Sequence, residues 1–250
     1  MIELNKIYNE DCLEGMKRIP DKSVDMILCD LPYGTTQNKW DVIIPFDKLW
    51  GQYERIIKDN GAIVLTGQQP FSSKLIMSNF KSFRYEWIWE KEQGTGHLNA
   101  KKAPLKNHEN VLVFYKKLPT YNPQFTQGKP RTSWTGGGST NYRKIDKKIY
   151  ANPTGKRYPV TVQRFVAHQN HGLHPTQKPV ALFEYLIKTY TNKGDTVLDN
   201  CIGSGTTAIA AINTKRNFIG FELDKEYFEI AQNRIKERQS QISLFDEVSE

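Results

Sequence analysis

A carboxylate, a proline and an aromatic ring fall within four positions at Asp30-Leu31-Pro32-Tyr33, directly after the apolar run Val24 to Cys29. A short apolar run closed by turn residues reads as a buried strand, which sets Asp30 at the strand's C-terminal end. An acid there, beside a proline-stiffened turn, suits an amine on a planar ring. Asp30 and the Leu31 carbonyl accept the two amine hydrogens while Tyr33 stacks on the ring, and the nitrogen's lone pair is thereby aimed. Methyl transfer to such a nitrogen needs positioning more than a strong base, because a sulfonium donor is already a good leaving group. Taken alone, a Pro-Tyr turn after a strand is an ordinary structural feature.

The second cluster, Thr196 to Thr207, is a strand running into a glycine turn and then a helix. Gly203 and Gly205 allow a tight turn, and the helix start offers free amides to an anion. No lysine follows the second glycine and no third glycine is present, so neither the nucleotide phosphate loop nor the full dinucleotide fingerprint is met. What remains is a ligand with a sugar and no essential pyrophosphate. Glu222 closes the next strand, where an acid accepts hydrogen bonds from ribose hydroxyls.

The elements that must carry these residues alternate. Strands are expected at 24–29, 62–66, 85–90, 111–115, 196–199 and 218–222. Helices are expected at 46–58, ended by Asn60-Gly61, and at 70–79, 179–190, 206–213 and 225–238. Strands spaced by helices imply an α/β fold with a mostly parallel, doubly wound sheet. Between Lys116 and Asn170 the alternation fails: five prolines, a Gly136-Gly137-Gly138 run and scattered Tyr, Arg and Lys mark a loop-rich insertion. Trp87 and Trp89 share one face of a strand and are expected in the core or a pocket wall. His168, His171 and His174 recur every third residue, but with no cysteine or carboxylate near them they read as loop polarity, and no metal is expected.

The net charge of +8 is unevenly placed: between Lys91 and Asn170 fifteen Lys or Arg face three acidic residues, a net of +12 that leaves −4 for the rest. A basic middle third on a slightly acidic body fits a polyanion partner, with a merely solvated basic surface as the alternative. With 38% hydrophobic residues and no apolar run near the roughly 18 that a membrane span needs, the chain is expected to be soluble and off the membrane. The opening Met1-Ile2-Glu3-Leu4-Asn5 has no signal-peptide pattern, which points to the cytoplasm. Three scattered cysteines, Cys12, Cys29 and Cys201, are expected as reduced thiols.

Asp30-Leu31-Pro32-Tyr33 resembles the Asp-Pro-Pro-Tyr motif of amino-methylating DNA methyltransferases. Asp199 to Gly205 resembles their Asp-Pro-Phe-x-Gly-Ser-Gly motif, and His174-Pro-Thr-Gln-Lys-Pro179 the segment just before it. The order of these motifs, with an insertion between them, resembles the circularly permuted β class, and within it the adenine-specific enzymes of phages and mobile elements. The resemblance implies a Rossmann-like fold that binds S-adenosylmethionine, needs no metal, and methylates the 6-amino group of adenine in duplex DNA after flipping the base, in the setting of restriction-modification and close to the nucleoid. It places Asp11 and Cys12 at the cofactor adenine, Asp30, Leu31 and Pro32 at the target amine, Tyr33 on the flipped base, and Thr176 and Lys178 beside the methionine end. Asp199, Asn200, Gly203, Ser204, Gly205, Thr206 and Thr207 form the cofactor turn, with Glu222 on the ribose; Asp30 also borders the cofactor.

The same resemblance divides the chain into a catalytic half at 1–115, a target recognition insertion at 116–170, a cofactor half at 171–238 and a flexible tail at 239–250. DNA contacts are assigned to Arg131, Arg143, Lys144, Lys147, Lys148, Lys156 and Arg157. In the tail, Gln241-Ile-Ser-Leu244-Phe245 resembles the peptide by which replication proteins dock on the bacterial sliding clamp, with Gln241, Leu244 and Phe245 as contacts. Leu31, Asn200 and Cys201 depart from the family's prolines and phenylalanine. Leu31 is tolerable because only its carbonyl is used, but the aromatic wall absent at Cys201 must come from elsewhere. Three alternatives stay open: methylation of cytosine at its 4-amino group, an RNA or protein-amide methyltransferase on the same fold, and a non-enzymatic DNA-binding module.

Overall fold

The computed structural model describes residues 2–35, 38, 41–135, 148–166 and 177–248, apart from the side chains of 134, 135, 148 and 243–248. In chain order the first elements are β1 (Lys6–Asn9), α1 (Cys12–Met16), β2 (Val24–Cys29), α2 (Phe46–Ile56), β3 (Ile57–Gly67), α3 (Phe71–Ser78), β4 (Phe83–Thr95) and β5 (Lys106–Phe114). Five short strands follow: β6 (Thr126–Gln127), β7 (Arg131–Thr135), β8 (Lys148–Asn152), β9 (Lys156–Arg157) and β10 (Val162–Arg164). The chain closes with α4 (Val180–Tyr190), β11 (Thr196–Asp199), α5 (Thr206–Asn213), β12 (Asn217–Glu222) and α6 (Lys225–Val248). It divides into two compact units, Met1–Asn122 with Thr161–Glu250, and Pro123–Val160.

The larger unit is built on an eight-stranded sheet in the order β1-β12-β11-β2-β3-β5-β4-β10. Pairing is parallel from β1 through β3 and again between β10 and β4, and antiparallel where β5 meets β3 and β4. Helices cover both faces, which is why β2 is apolar at every position but Asp25: Met26 and Leu28 join the cluster under α4 and α5, while Val24, Ile27 and Cys29 join the one under α1, α2 and α3. In such a sheet ligands bind beyond the carboxyl ends of the strands. Those ends are Asn9, Cys29, Gly67, Asp199 and Glu222. Because β5 runs the other way, its N-terminal half reaches the same edge.

The smaller unit holds two antiparallel pairs, β6 with β9 and β7 with β8. Its ends, Pro123 and Val160, lie inside the 116–170 span read from sequence, and Val162–Arg164 is a parallel edge strand of the main sheet instead of loop. The β-branched Val162 favours an extended backbone here, on an edge that β4 leaves open. No helix among the described residues is long and apolar enough to cross a membrane.

Two further expectations give way. Helix α2 stops at Ile56 and β3 starts at once, so Asn60-Gly61 does not cap a helix but lies in an irregularity where Val24 pairs with Ile57 and Met26 with Ala62. Gly61 is needed for close approach there, since a Cβ would sit 2.8 Å from the Asp25 carbonyl oxygen. The last helix runs to Val248, so 239–248 is helical and not a flexible tail; the stretch has no Gly or Pro to stop it.

Candidate active site

Asp30 follows the last residue of β2, and Cys29 is in register with Leu65 of β3, so Thr66 stands beside it. The Thr66 hydroxyl donates to Asp30 Oδ1, and the Tyr33 hydroxyl donates to the same oxygen at 2.7 Å. Asp30 Oδ2 accepts from the Lys178 ammonium at 2.5 Å. Behind Tyr33 the Phe71 ring packs at 4.9 Å between centroids and 29° between planes. Burial, with the Asp30 charge next, pushes the Tyr33 phenol well up, so it stays a donor. The chain leaves this turn through Gly34 at φ +66, where the left-handed backbone favours glycine. The Gly34 and Thr35 amides donate to the buried Asp41 carboxylate at 2.7 and 2.8 Å, which ties the turn down.

Across the pocket β11 ends at Asp199, whose carboxyl accepts the Thr207 hydroxyl and the Cys201 amide. Burial raises its pKa to about 7 despite those donors. Gly203 and Gly205 take φ of +53 and +86. Glu222 closes the turn, accepting from the Gly203 amide at 2.8 Å and the Asp224 amide at 2.9 Å, and burial lifts its pKa. Asp11 caps α1 through the Leu13 and Glu14 amides, which leaves Cys12 facing Asn200. The Asn200 amide donates to the sulfurs of Cys12 and Cys201, and all three cysteines are free thiols.

One cavity of about 720 Å³ joins these groups, inside the range of about 300–1,000 Å³ usual for ligand pockets. Asp11, Cys12, Asp30, Leu31, Pro32, Tyr33, Lys178, Asp199, Asn200, Gly203, Ser204, Thr206 and Glu222 all line it. Gly205 and Thr207 sit behind this wall, in the turn and first helical residues. Phe183 and Tyr227 also line this cavity. Gln177 Oε1 is buried on the wall with no donor among the described residues, an acceptor suited to an ammonium or hydroxyl ligand.

Several groups at the site escape the motifs. Thr66 is detectable, because a polar residue ending the strand parallel to β2 must lie beside Asp30. Glu109, Lys91, Gln68 and Asp41 carry no such signal: their partners are distant in sequence. Lys178, placed from the motifs at the methionine end of a cofactor, puts its ammonium on Asp30 and, at 3.4 Å, on Glu109. Thr176 and the three histidines lie outside the described residues, as do Arg143, Lys144 and Lys147. Trp87 and Trp89 are core residues whose indole N–H groups donate to the Tyr190 hydroxyl and the Phe165 carbonyl. In the smaller unit Arg131, Lys156 and Arg157 lie on exposed strand positions, and Lys148 opens β8. On α6, Gln241 accepts from Arg238 at 3.1 Å; Leu244 and Phe245 follow on the same helix.

The family model described as DNA methylase matches residues 24–233. A curated relative named Type II methyltransferase M.BglII, from Bacillus subtilis, is 32% identical over 91% of this chain and 68% of its own. One named DNA adenine methyltransferase YhdJ, from Escherichia coli, is 28% identical over 93% of this chain and 83% of its own. Among solved structures, the M1.HpyAVI–SAM complex superposes with a TM-score of 0.61 and 26% identity, over 92% of this chain and 98% of that one. The PvuII cytosine-N4-specific enzyme superposes with a TM-score of 0.67 at 16% identity over 95% and 92%, a likeness of fold.

Proposed function

The chain belongs to the DNA methylase family, and from that premise we propose that it transfers a methyl group from S-adenosylmethionine to the 6-amino group of adenine in duplex DNA. The observation that carries this reading is a single cavity with Asp30 and Tyr33 at one end and the Gly203–Glu222 turn at the other. Bound in it, S-adenosylmethionine supplies an activated methyl on a sulfonium.

The residues fit both ligands. Glu222 keeps acceptor capacity beyond its two backbone donors for ribose hydroxyls, and Gln177 Oε1 offers a buried acceptor. Phe183 and Tyr227 give apolar ring surface for a flat base. At the other end Asp30 Oδ2 and the Leu31 carbonyl hold the two hydrogens of an exocyclic amine, while Tyr33, backed by Phe71, offers its ring to the flipped base. Adenine is favoured over cytosine because the catalytic motif opens with Asp, and YhdJ, an adenine enzyme by name, matches nearly the whole chain.

Arg131, Lys148, Lys156 and Arg157, with Arg143, Lys144 and Lys147 of the same insertion, neutralise phosphates, which supplies most of the sequence-independent affinity for DNA. The Gln241 to Phe245 peptide is our proposed contact for the sliding clamp. Being helical in the free chain, it must unwind to dock in extended form, and that ordering cost limits its affinity.

Offering duplex DNA, RNA and total protein side by side with methyl-labelled S-adenosylmethionine tests the substrate class. Label is expected in duplex DNA alone. Label in RNA or protein would transfer the reading to those substrates, and no label in any would leave a binding module.

A further inference from the structure

Four charged side chains form a row of alternating sign running inward from the Asp30 turn. Lys178 is 6% exposed and Glu109 is 4% exposed. The Lys178 ammonium lies 2.5 Å from Asp30 Oδ2 and 3.4 Å from Glu109 Oε2. Glu109 Oε1 in turn takes the Lys91 ammonium and, at 3.0 Å, the Gln68 amide. The Lys91 ammonium also sits 5.0 Å from the centre of the Trp89 ring. Asp30, Lys178, Glu109 and Lys91 together sum to zero charge, so each buried ion is compensated, and removing one leaves its neighbour uncompensated.

This row leaves the target end of the pocket over-determined. Asp30 Oδ1 is engaged by two hydroxyls and Oδ2 by one ammonium, which fixes the plane of the carboxylate and leaves Oδ2 one free lone pair. Lys178 is held in its turn by the second carboxylate at 3.4 Å, and its ammonium lies 5.8 Å from the centre of the Tyr33 ring. Burial disfavours its charge, yet the Asp30 and Glu109 carboxylates outweigh that and hold its pKa above the ordinary value. Burial likewise pushes Glu109 up, and the Lys178 and Lys91 ammoniums outweigh it, so this carboxyl stays ionised. Glu109 lies on β5 and belongs to neither chemical motif.

Resting on the methyl-transfer reading above, we propose that Glu109 is a positioning residue for the reaction: through Lys178 it sets the angle at which Asp30 presents its free lone pair to the incoming amine. Glu109 lines the same cavity, and its proposed role runs through Lys178 and not through contact with the amine or the methyl donor. Its contribution is geometric, and a misplacement of reacting groups by about 1 Å can cost on the order of 100-fold in rate.

Glu109→Gln keeps the shape and removes the charge. Its kcat is expected to fall about 10- to 100-fold, while the KM for DNA, the dissociation constant for S-adenosylmethionine and the fluorescence rise of 2-aminopurine at the target base stay as in the wild type. The alkaline limb of its pH–rate profile moves to lower pH, since only one of the two carboxylates that hold the Lys178 proton remains. The double variant Glu109→Gln, Lys178→Gln is expected to be no slower than Lys178→Gln alone, because Glu109 acts through that lysine. Should Glu109→Gln fail to fold, Lys91→Met loosens Glu109 from its other side and is expected to give a smaller fall of the same kind. Wild-type kcat and pH profile in Glu109→Gln would overturn the inference while leaving the function intact. So would additive losses in the double variant, or a fall in kcat matched by weakened cofactor affinity with an unmoved alkaline limb. A wild-type protein that methylates nothing would overturn the function itself, and that assay comes first.

Discussion

Asp199 ends β11 and Asp30 directly follows the neighbouring parallel strand β2, yet their surroundings differ. Asp30 faces an ammonium and two hydroxyls, whereas Asp199 has a hydroxyl and an amide and is 3% exposed. The contrast has a measurable sign. Burial holds the Asp199 carboxyl near 7 against an ordinary 3.8, so the fold favours its neutral form. That contribution is fully present below about pH 4 and is lost as the pH rises through 7, at a cost on the order of 4 kcal/mol. Asp199→Asn has no such titration. Its stability relative to wild type, followed by thermal denaturation, is expected to grow steadily from pH 4 to pH 8. A difference that stays flat over this range would show that the carboxyl is not displaced.

The strand–turn–helix at the cofactor end depends on backbone as much as on side chains. Gly205 adopts φ +86, and a Cβ there would meet Ala231 Cβ at 3.2 Å, so α5 packs on α6 through this point. Gly205→Ala is expected to cost about 1–3 kcal/mol, read as a lowered denaturant midpoint, and to weaken cofactor binding as the turn shifts. An unchanged midpoint would mean the turn tolerates a side chain.

This element is legible in the sequence because glycine spacing and an apolar run are local signals. Asp30, Tyr33 and Glu222 are legible for the same reason. The Glu109–Lys178–Asp30 row is not, since it is created by bringing β5 beside β3 and the segment before α4 against both. The extent of α6 is hidden because a clamp-like peptide favours an extended reading of a stretch whose residues also suit a helix. Pull-down of the host's sliding clamp by wild type and by a Leu244→Ala, Phe245→Ala variant tests that peptide. Recovery by the wild type alone is expected, and equal recovery from both, or none from either, would reduce the segment to a plain helix end.

The chain divides into two compact units. The larger unit builds the pocket from strand ends, and the basic excess falls largely on the insertion, where eleven Lys or Arg at 116–170 face Asp146 alone. Charge marks the insertion but not its limits for a physical reason: lysines of β4 and β5 belong to the main sheet although they share its sign. Neutralising Arg131, Lys156 and Arg157 together is expected to weaken DNA binding and to flatten its dependence on salt, by up to about one unit of slope for each phosphate left without its cation. S-adenosylmethionine affinity should not move. Equal weakening of both ligands would place these residues in the support of the cofactor pocket.

The most direct measurement is the identity of the methylated nucleoside. Duplex DNA incubated with labelled S-adenosylmethionine and either wild type or Asp30→Ala is digested to nucleosides and resolved by mass spectrometry. Labelled 6-methyladenine is expected from the wild type and none above background from Asp30→Ala, even though the variant still binds the cofactor. Labelled 4-methylcytosine from the wild type, or undiminished 6-methyladenine from Asp30→Ala, would contradict the assignment of adenine or the role of this carboxylate.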